Sequence, residues 1–253
     1  MDLKRFLDKG GAAGRRSLIA LDFDGTLSPL VSCPGRARLP GRTRDLLARL
    51  ASGPSTAVAV VSGRSLADVR SRIALPGLFY AGNHGLEIFG PGLAWTHPRA
   101  LSARPSLQAL ALILERGLAE LPGVLLENKG LTLSVHHRLS SASARRAAGM
   151  ILAAALAPYG RDLTPGSGKM VWEVRPRTDW NKGHAVLKIG RTVGAGARIV
   201  FVGDDRTDEE GFMTLRGRAV TIRVGLAEHT AATHTLKRQD DVESLLEFLA
   251  RMP

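Results

Sequence analysis

Cysteine is nearly absent from this chain: Cys33 stands alone, so no internal disulfide can form and no four-cysteine zinc site can be assembled. Cys33 reads as an incidental loop thiol, and the chain as a cytoplasmic, disulfide-free protein. Aromatic residues are also scarce, at 5% of the chain, which leaves little to stack against exposed bases. Long apolar runs are missing too. The longest uncharged one, residues 147–157, falls well short of the ~20 residues that cross a bilayer. Behind the basic residues Lys4, Arg5, Lys9, Arg15 and Arg16 the only apolar run is Leu18-Ile19-Ala20-Leu21. That run is too short for a signal-peptide core, so neither a secretion signal nor a membrane partner is expected.

Charge of one sign is in excess. Lys and Arg number 35 against 23 Asp and Glu, a net charge of +12, which would suit a nucleic-acid partner if the cations were clustered. They are spread along the whole chain instead. The charge therefore reads as a solvated basic surface able to draw in a small anion, and no nucleic acid is expected.

At 253 residues with 44% hydrophobic content, the chain can fill one large core or two modest ones. Residues 18–21, 57–61, 78–81, 199–202 and 219–222 are short apolar runs without polar alternation, as expected of parallel strands buried on both faces. Between the first two, Leu46, Leu47 and Leu50 mark a helix over residues 43–51 that stops at Gly53-Pro54. Ser65 is placed to cap a second helix with Leu66, Val69 and Ile73 on its apolar face. This alternation predicts a doubly wound, Rossmann-like α/β domain.

The alternation breaks at residues 104–175. There the pattern gives a helix over 106–121, strands over 124–127 and 131–136, a helix over 141–157, and a hairpin around Gly166-Ser167-Gly168. Such a unit is a small α+β insertion. The expected organisation is therefore a core of residues 1–103 and 176–253 with an inserted domain at 104–175.

Asp22-Phe23-Asp24-Gly25-Thr26 follows the first buried strand directly. In open α/β sheets the ligand crevice lies beyond the carboxyl ends of the strands, and residues two apart in an extended segment point the same way. Two other strand ends reach this edge. One is followed by Ser62-Gly63-Arg64, the other by Gly203-Asp204-Asp205 and then Asp208. Each close pair of carboxylates there would cost on the order of 4 kcal/mol at an effective dielectric of 20, so a cation is expected between them. Oxygen-only donors point to a hard ion such as Mg²⁺. Taken alone, Asp22 and Asp24 would read sooner as a pair of turn-forming aspartates; groups at three strand ends reverse that preference.

These residues resemble the haloacid dehalogenase superfamily of phosphohydrolases, whose motifs occur here in order: DxDGT at Asp22 to Thr26, the strand-end Ser62, Lys182, and GDD with Asp208. The resemblance implies that Asp22 attacks phosphorus to form an aspartyl-phosphate and that Asp24 serves as acid and then base. It further implies that Asp22, the Asp24 carbonyl and Asp204 hold Mg²⁺, that Asp205 and Asp208 support the metal, and that Ser62 and Lys182 bind phosphoryl oxygens. Asp208 would act through water or through Lys182. Arg64, by its place beside Ser62, is expected to contact the anion. In this superfamily an insertion between the second and third motifs is a cap (C2-type) that sets specificity, and residues 104–175 occupy that slot.

Glu127-Asn128-Lys129, Arg138, Lys169 and Glu173 are similar to the sugar-contacting pattern of the trehalose-6-phosphate phosphatase family, as are Gly82-Asn83-His84-Gly85, Ser62-Gly63-Arg64 and Asn181-Lys182-Gly183. The implied function is hydrolysis of trehalose 6-phosphate by a monomer, with Asn83 and His84 added to the substrate contacts. By themselves Glu127 and Lys129 also fit an exposed turn, and His84 a structural role. A phosphatase for sucrose phosphate or mannosylglycerate phosphate, or a silent sugar-phosphate-binding protein, is the alternative. His136 and His137 point to opposite faces of a strand and carry no expected metal role.

Overall fold

The structure, a computed structural model, describes residues 16–31 and 34–251. Lys4, Arg5, Lys9, Arg15 and Cys33 lie outside the described residues. The chain divides into two compact units, Met1–Trp95 with Trp180–Pro253, and Thr96–Asp179.

In chain order the first unit begins with β1 (Ser17–Leu21), α1 (Gly41–Ala51), β2 (Thr56–Val61), α2 (Leu66–Ile73), β3 (Phe79–Gly82), β4 (Glu87–Gly90) and β5 (Leu93–Thr96). The second unit supplies α3 (Pro98–Ser102), α4 (Arg104–Leu118), β6 (Leu125–Asn128), β7 (Leu133–His136), α5 (Ala142–Leu156), β8 (Leu163–Gly168) and β9 (Val171–Pro176). The first unit resumes with α6 (Lys182–Val193), β10 (Arg198–Gly203), α7 (Arg206–Thr214), β11 (Val220–Val224), β12 (His234–Leu236) and α8 (Asp241–Ala250).

The first unit is one eight-stranded sheet in the order β12-β11-β10-β1-β2-β3-β4-β5, parallel from β12 to β3 and antiparallel between β3 and β4. Its central strands lack polar alternation because both faces are covered. Ile19 and Leu21 of β1 pack with Leu47 of α1, Val69 of α2 and Leu246 of α8, while Leu18 and Ala20 pack with Val186 and Ile189 of α6 and Phe212 of α7. Each face thus buries its own apolar layer, the arrangement that parallel sheets require. Ser65 caps α2 as its position predicts, accepting from Asp68 N at 3.2 Å.

The second unit is a four-stranded antiparallel sheet, β6-β7-β9-β8, whose Leu133, Val135, Val174 and Leu163 pack against Leu107, Leu110 and Leu114 of α4 and Leu152 of α5. Ser141 caps α5 by accepting from Ala144 N at 3.1 Å. The hairpin here differs from the sequence expectation. Gly166, Ser167 and Gly168 are strand residues paired with Glu173, Trp172 and Val171, so the turn is Lys169-Met170. Met170 takes the left-handed φ of 65° that a glycine would otherwise supply. No helix among the described residues is long and apolar enough to cross a membrane.

Candidate active site

The carboxyl ends of β1, β2 and β10 present the acidic and hydroxyl residues together. Asp22 continues β1 by one residue, its N–H bonded to Val202 O at 2.9 Å, and is almost fully buried. The chain then turns at once, with Gly25 N bonded to Ser28 O and Ser28 N to Phe23 O, both at 2.8 Å. Gly25 has φ of 87°, and a Cβ there would lie 2.2 Å from Asp204 Oδ2. Only glycine permits both the turn and the close approach of the Asp204 carboxylate. Thr26 Oγ1 donates to Asp204 Oδ1 at 3.3 Å, tying the first motif to the last.

Lys182 is the first residue of α6, whose N-cap, Asn181, accepts from Gly183 N and His184 N. A cation at a helix N-terminus is disfavoured by the dipole, so it needs nearby anions. Lys182 Nζ donates to Asp22 Oδ1 and to Asp208 Oδ1, each at 2.8 Å, and all three side chains are buried. Burial pulls the lysine pKa down, but Asp208 and Asp22 outweigh it and hold the pKa well above the ordinary value. The other oxygen of Asp208 accepts from Asp204 N at 3.0 Å and Asp205 N at 3.1 Å. Asp205 in turn caps α7, accepting from Asp208 N at 2.9 Å in a reciprocal capping box. Both oxygens of Asp208 are thus engaged, one by the lysine and one by the loop.

Asp22, Asp204 and Asp208 can each offer an oxygen within 4.8 Å of one another, a group able to hold a metal ion. Burial pushes Asp22 to about 8 against the opposing pull of Lys182, with Asp204 and Asp205 adding repulsion. Burial likewise pushes Asp204 to about 7, reinforced by Asp208 and Asp205. One lysine is too little positive charge for this set. Hard oxygen donors short of counter-charge fit a divalent cation.

Ser62 directly follows β2 and accepts from Arg64 N at 3.2 Å through its hydroxyl. The neighbouring loop is locked to it: His84 N bonds Ser62 O at 2.9 Å and Asn83 N bonds Arg64 O at 2.6 Å. Asn83 and His84 have φ of 49° and 58°, a strained pair in which Asn83 Nδ2 is held by Glu87 Oε1 at 2.7 Å. His84 packs on Gly63, where a Cβ would fall 2.7 Å from His84 Cε1. The Arg64 guanidinium forks onto Asp24 and also reaches Asp68 Oδ2 at 2.8 Å. Asp68, which the sequence reading does not place here, joins the cluster from the first turn of α2, four residues after an Arg64 that precedes the Ser65 cap.

In the second unit the residues predicted to meet a sugar fall into two groups. Glu127 on β6, Ser134 on β7 and Glu173 on β9 are register partners on the sheet face away from α4 and α5. Glu127 Oε2 pairs with His136 Nε2 at 2.8 Å, and Glu173 Oε1 with Lys129 Nζ at 3.5 Å. Arg138 and Lys169 meet at the end of the sheet, Arg138 Nη2 donating to Lys169 O at 3.3 Å. His137, on the opposite face from His136, packs at a tilt against Trp172 with ring centroids 4.2 Å apart.

A family model described as trehalose-phosphatase matches residues 20–243. A trehalose-phosphate phosphatase of Mycobacterium avium (strain 104) is 39% identical over 252 residues, covering 96% of this chain and 63% of that protein. A probable trehalose-phosphate phosphatase 3 of Oryza sativa subsp. japonica is 33% identical over 263 residues, covering 95% and 71%. Among solved structures, the C-terminal domain of a trehalose-6-phosphate phosphatase from C. albicans superposes with a TM-score of 0.81 at 22% identity, covering 98% of this chain and 95% of that one, a likeness of fold. The chain spans less than two thirds of the length of its mycobacterial relatives, 63% for the M. avium protein.

Proposed function

Since this chain belongs to the trehalose-phosphatase family, we propose that it hydrolyses trehalose 6-phosphate to trehalose and phosphate, as a cytoplasmic monomer that uses Mg²⁺. The observation that carries the reading is the buried Asp22 carboxylate, emerging from the central strand with Lys182 Nζ 2.8 Å away and Asp204 beside it. A carboxylate in that setting is a nucleophile whose charge is met by Lys182 rather than by water.

Asp22 attacks phosphorus as the bond to the sugar oxygen breaks, and Asp24 gives that oxygen its proton. Asp24 then takes a proton from water, which attacks the aspartyl-phosphate, releasing phosphate and restoring Asp22. Lys182 and Ser62 hold phosphoryl oxygens in both steps, and Asp208 keeps Lys182 in place. Asp22, Asp204 and the Asp24 carbonyl would hold the metal, which supplies positive charge to the phosphoryl group when bound. Asp205, through its cap of α7, steadies the loop that carries Asp204. Glu127, Lys129, Arg138, Lys169 and Glu173 recognise the sugar hydroxyls, while Asn83 and His84 shape the wall beside Ser62.

The test is phosphate release from a panel of sugar phosphates, with and without a chelator, for the wild type and Asp22→Asn. Release from trehalose 6-phosphate that needs Mg²⁺ and is lost in the variant is expected. Equal rates on monosaccharide and disaccharide esters would sink the trehalose assignment, and no release from any ester would sink the enzyme.

A further inference from the structure

The first unit has a cavity of about 460 Å³ with no carboxylate in its lining. Four of its residues, His184, Leu187, Lys188 and Arg191, recur at helical spacing and so share one face of α6. Arg218 lines it as well. None of Lys188, Arg191 and Arg218 has an ion-pair partner among the described residues. Three cations around one concavity, with nothing of opposite sign in the wall, focus a positive potential into it.

The rest of the wall is two tryptophans and Thr214, whose hydroxyl is already engaged by Asn181 and by Glu210 O at 3.0 Å. Trp95 packs against Trp180 with centroids 4.7 Å apart and lies under Lys188 Nζ at 4.5 Å. Trp180 also stacks on His184 at 5.4 Å, and its Nε1 donates to Gly85 O at 2.8 Å. Both indoles already pack against neighbours, so they offer edges rather than an open face for a base to stack on. The volume lies within the range of small-molecule sites, about 300–1,000 Å³, and exceeds what a bare inorganic anion needs.

We propose that this cavity binds a small phosphate ester with a sugar or aliphatic body, the phosphate held by Lys188, Arg191 and Arg218 and the body set against Leu187 and the tryptophan edges. The lining shares no residue with the hydrolytic site and does not depend on the reading of that one.

Trp95 and Trp180 report occupancy. The full chain carrying Asp22→Asn, in Mg²⁺ at constant ionic strength, is titrated with glucose 6-phosphate, AMP and inorganic phosphate while tryptophan fluorescence is followed. Glucose 6-phosphate is expected to saturate at a concentration at least about tenfold below the other two, because one carries no body and the other needs a ring face. Adding Arg191→Glu and Arg218→Glu is expected to raise that midpoint at least about tenfold. Arg191→Gln with Arg218→Gln raises it less, and both pairs melt with the parent since the two side chains are exposed. An unchanged midpoint in both arginine pairs would place the signal at the hydrolytic site and overturn the proposal. So would the lack of a saturable change, or equal midpoints for all three anions.

Discussion

Arg64 holds the Asp24 carboxylate at two points, Nε to Oδ2 and Nη2 to Oδ1, both at 2.6 Å. Burial opposes the charge on Arg64, but Asp24 and Asp68 more than restore it and raise its pKa above the ordinary guanidinium value. The grip fixes the direction of a carboxylate that is otherwise about one third exposed.

If Arg64 orients Asp24, its loss should act on turnover. Arg64→Lys keeps the charge but not the fork, and kcat is expected to fall by about tenfold; Arg64→Ala should cost about a hundredfold, within the range of general acid–base contributions. KM stays near wild type in both. A raised KM at unchanged kcat would assign Arg64 to the substrate phosphate instead, the role its place beside Ser62 suggests in the sequence.

The difference between those two roles marks where the sequence stops being informative. Strands β1, β2 and β10 were legible because burial on both faces leaves an uninterrupted apolar run, and the residues at their ends follow by position. Strands β4 and β5 were not: Glu87-Ile88-Phe89-Gly90 and Leu93-Ala94-Trp95-Thr96 are short and mixed, and β5 is the edge strand. The β8–β9 turn was misplaced because two glycines inside a strand imitate a turn, while the residue that takes the left-handed conformation is Met170. Arg64 illustrates a third limit. A long side chain at a known place can reach several partners, and only the folded positions of Asp24 and Asp68 choose among them.

Lys182 is buried between Asp22 and Asp208. Lys182→Ala leaves two carboxylates without their cation, a loss of about 3–5 kcal/mol by the usual cost of breaking a buried pair. Urea unfolding should show it as a lower midpoint at pH 8 that recovers partly at pH 5, where the carboxylates bind protons. A variant as stable as wild type at pH 8 would contradict the pairing.

If Asp22 and Asp204 hold the metal, its binding and pH should be linked through these carboxylates. Asp22 at about 8 and Asp204 at about 7 both stand above their ordinary 3.8 in the folded chain. A raised carboxyl pKa stabilises the fold fully below the unfolded value and loses that contribution as pH rises through the folded one. In chelator, thermal stability should therefore decline between pH 4 and pH 8. Added Mg²⁺ should raise the melting temperature more at pH 8 than at pH 5. Equal Mg²⁺ shifts at the two pH values would refute the link.

Glu173 pairs with Lys129 on the helix-free sheet face of the second unit. Glu173→Gln keeps the shape and removes the charge. For trehalose 6-phosphate kcat/KM is expected to fall by roughly ten- to a hundredfold, the range for losing a hydrogen bond to a charged group. For p-nitrophenyl phosphate, which has no sugar, it should hold. Parallel losses on both esters would take Glu173 out of sugar recognition.

The chain leaves the first unit after Trp95 and re-enters it at Trp180, and the rings of these two residues are 4.7 Å apart. Everything from Thr96 to Asp179 is therefore strung between two points that touch. A segment anchored in this way is a cassette: a linker of a few residues closes the gap it leaves, and another segment of unrelated length fits the same socket. Neither exchange disturbs the register of the parallel strands that carry Asp22, Ser62 and Asp204. The geometry lets the second unit be exchanged as one piece while Asp22, Ser62 and Asp204 stay within the first.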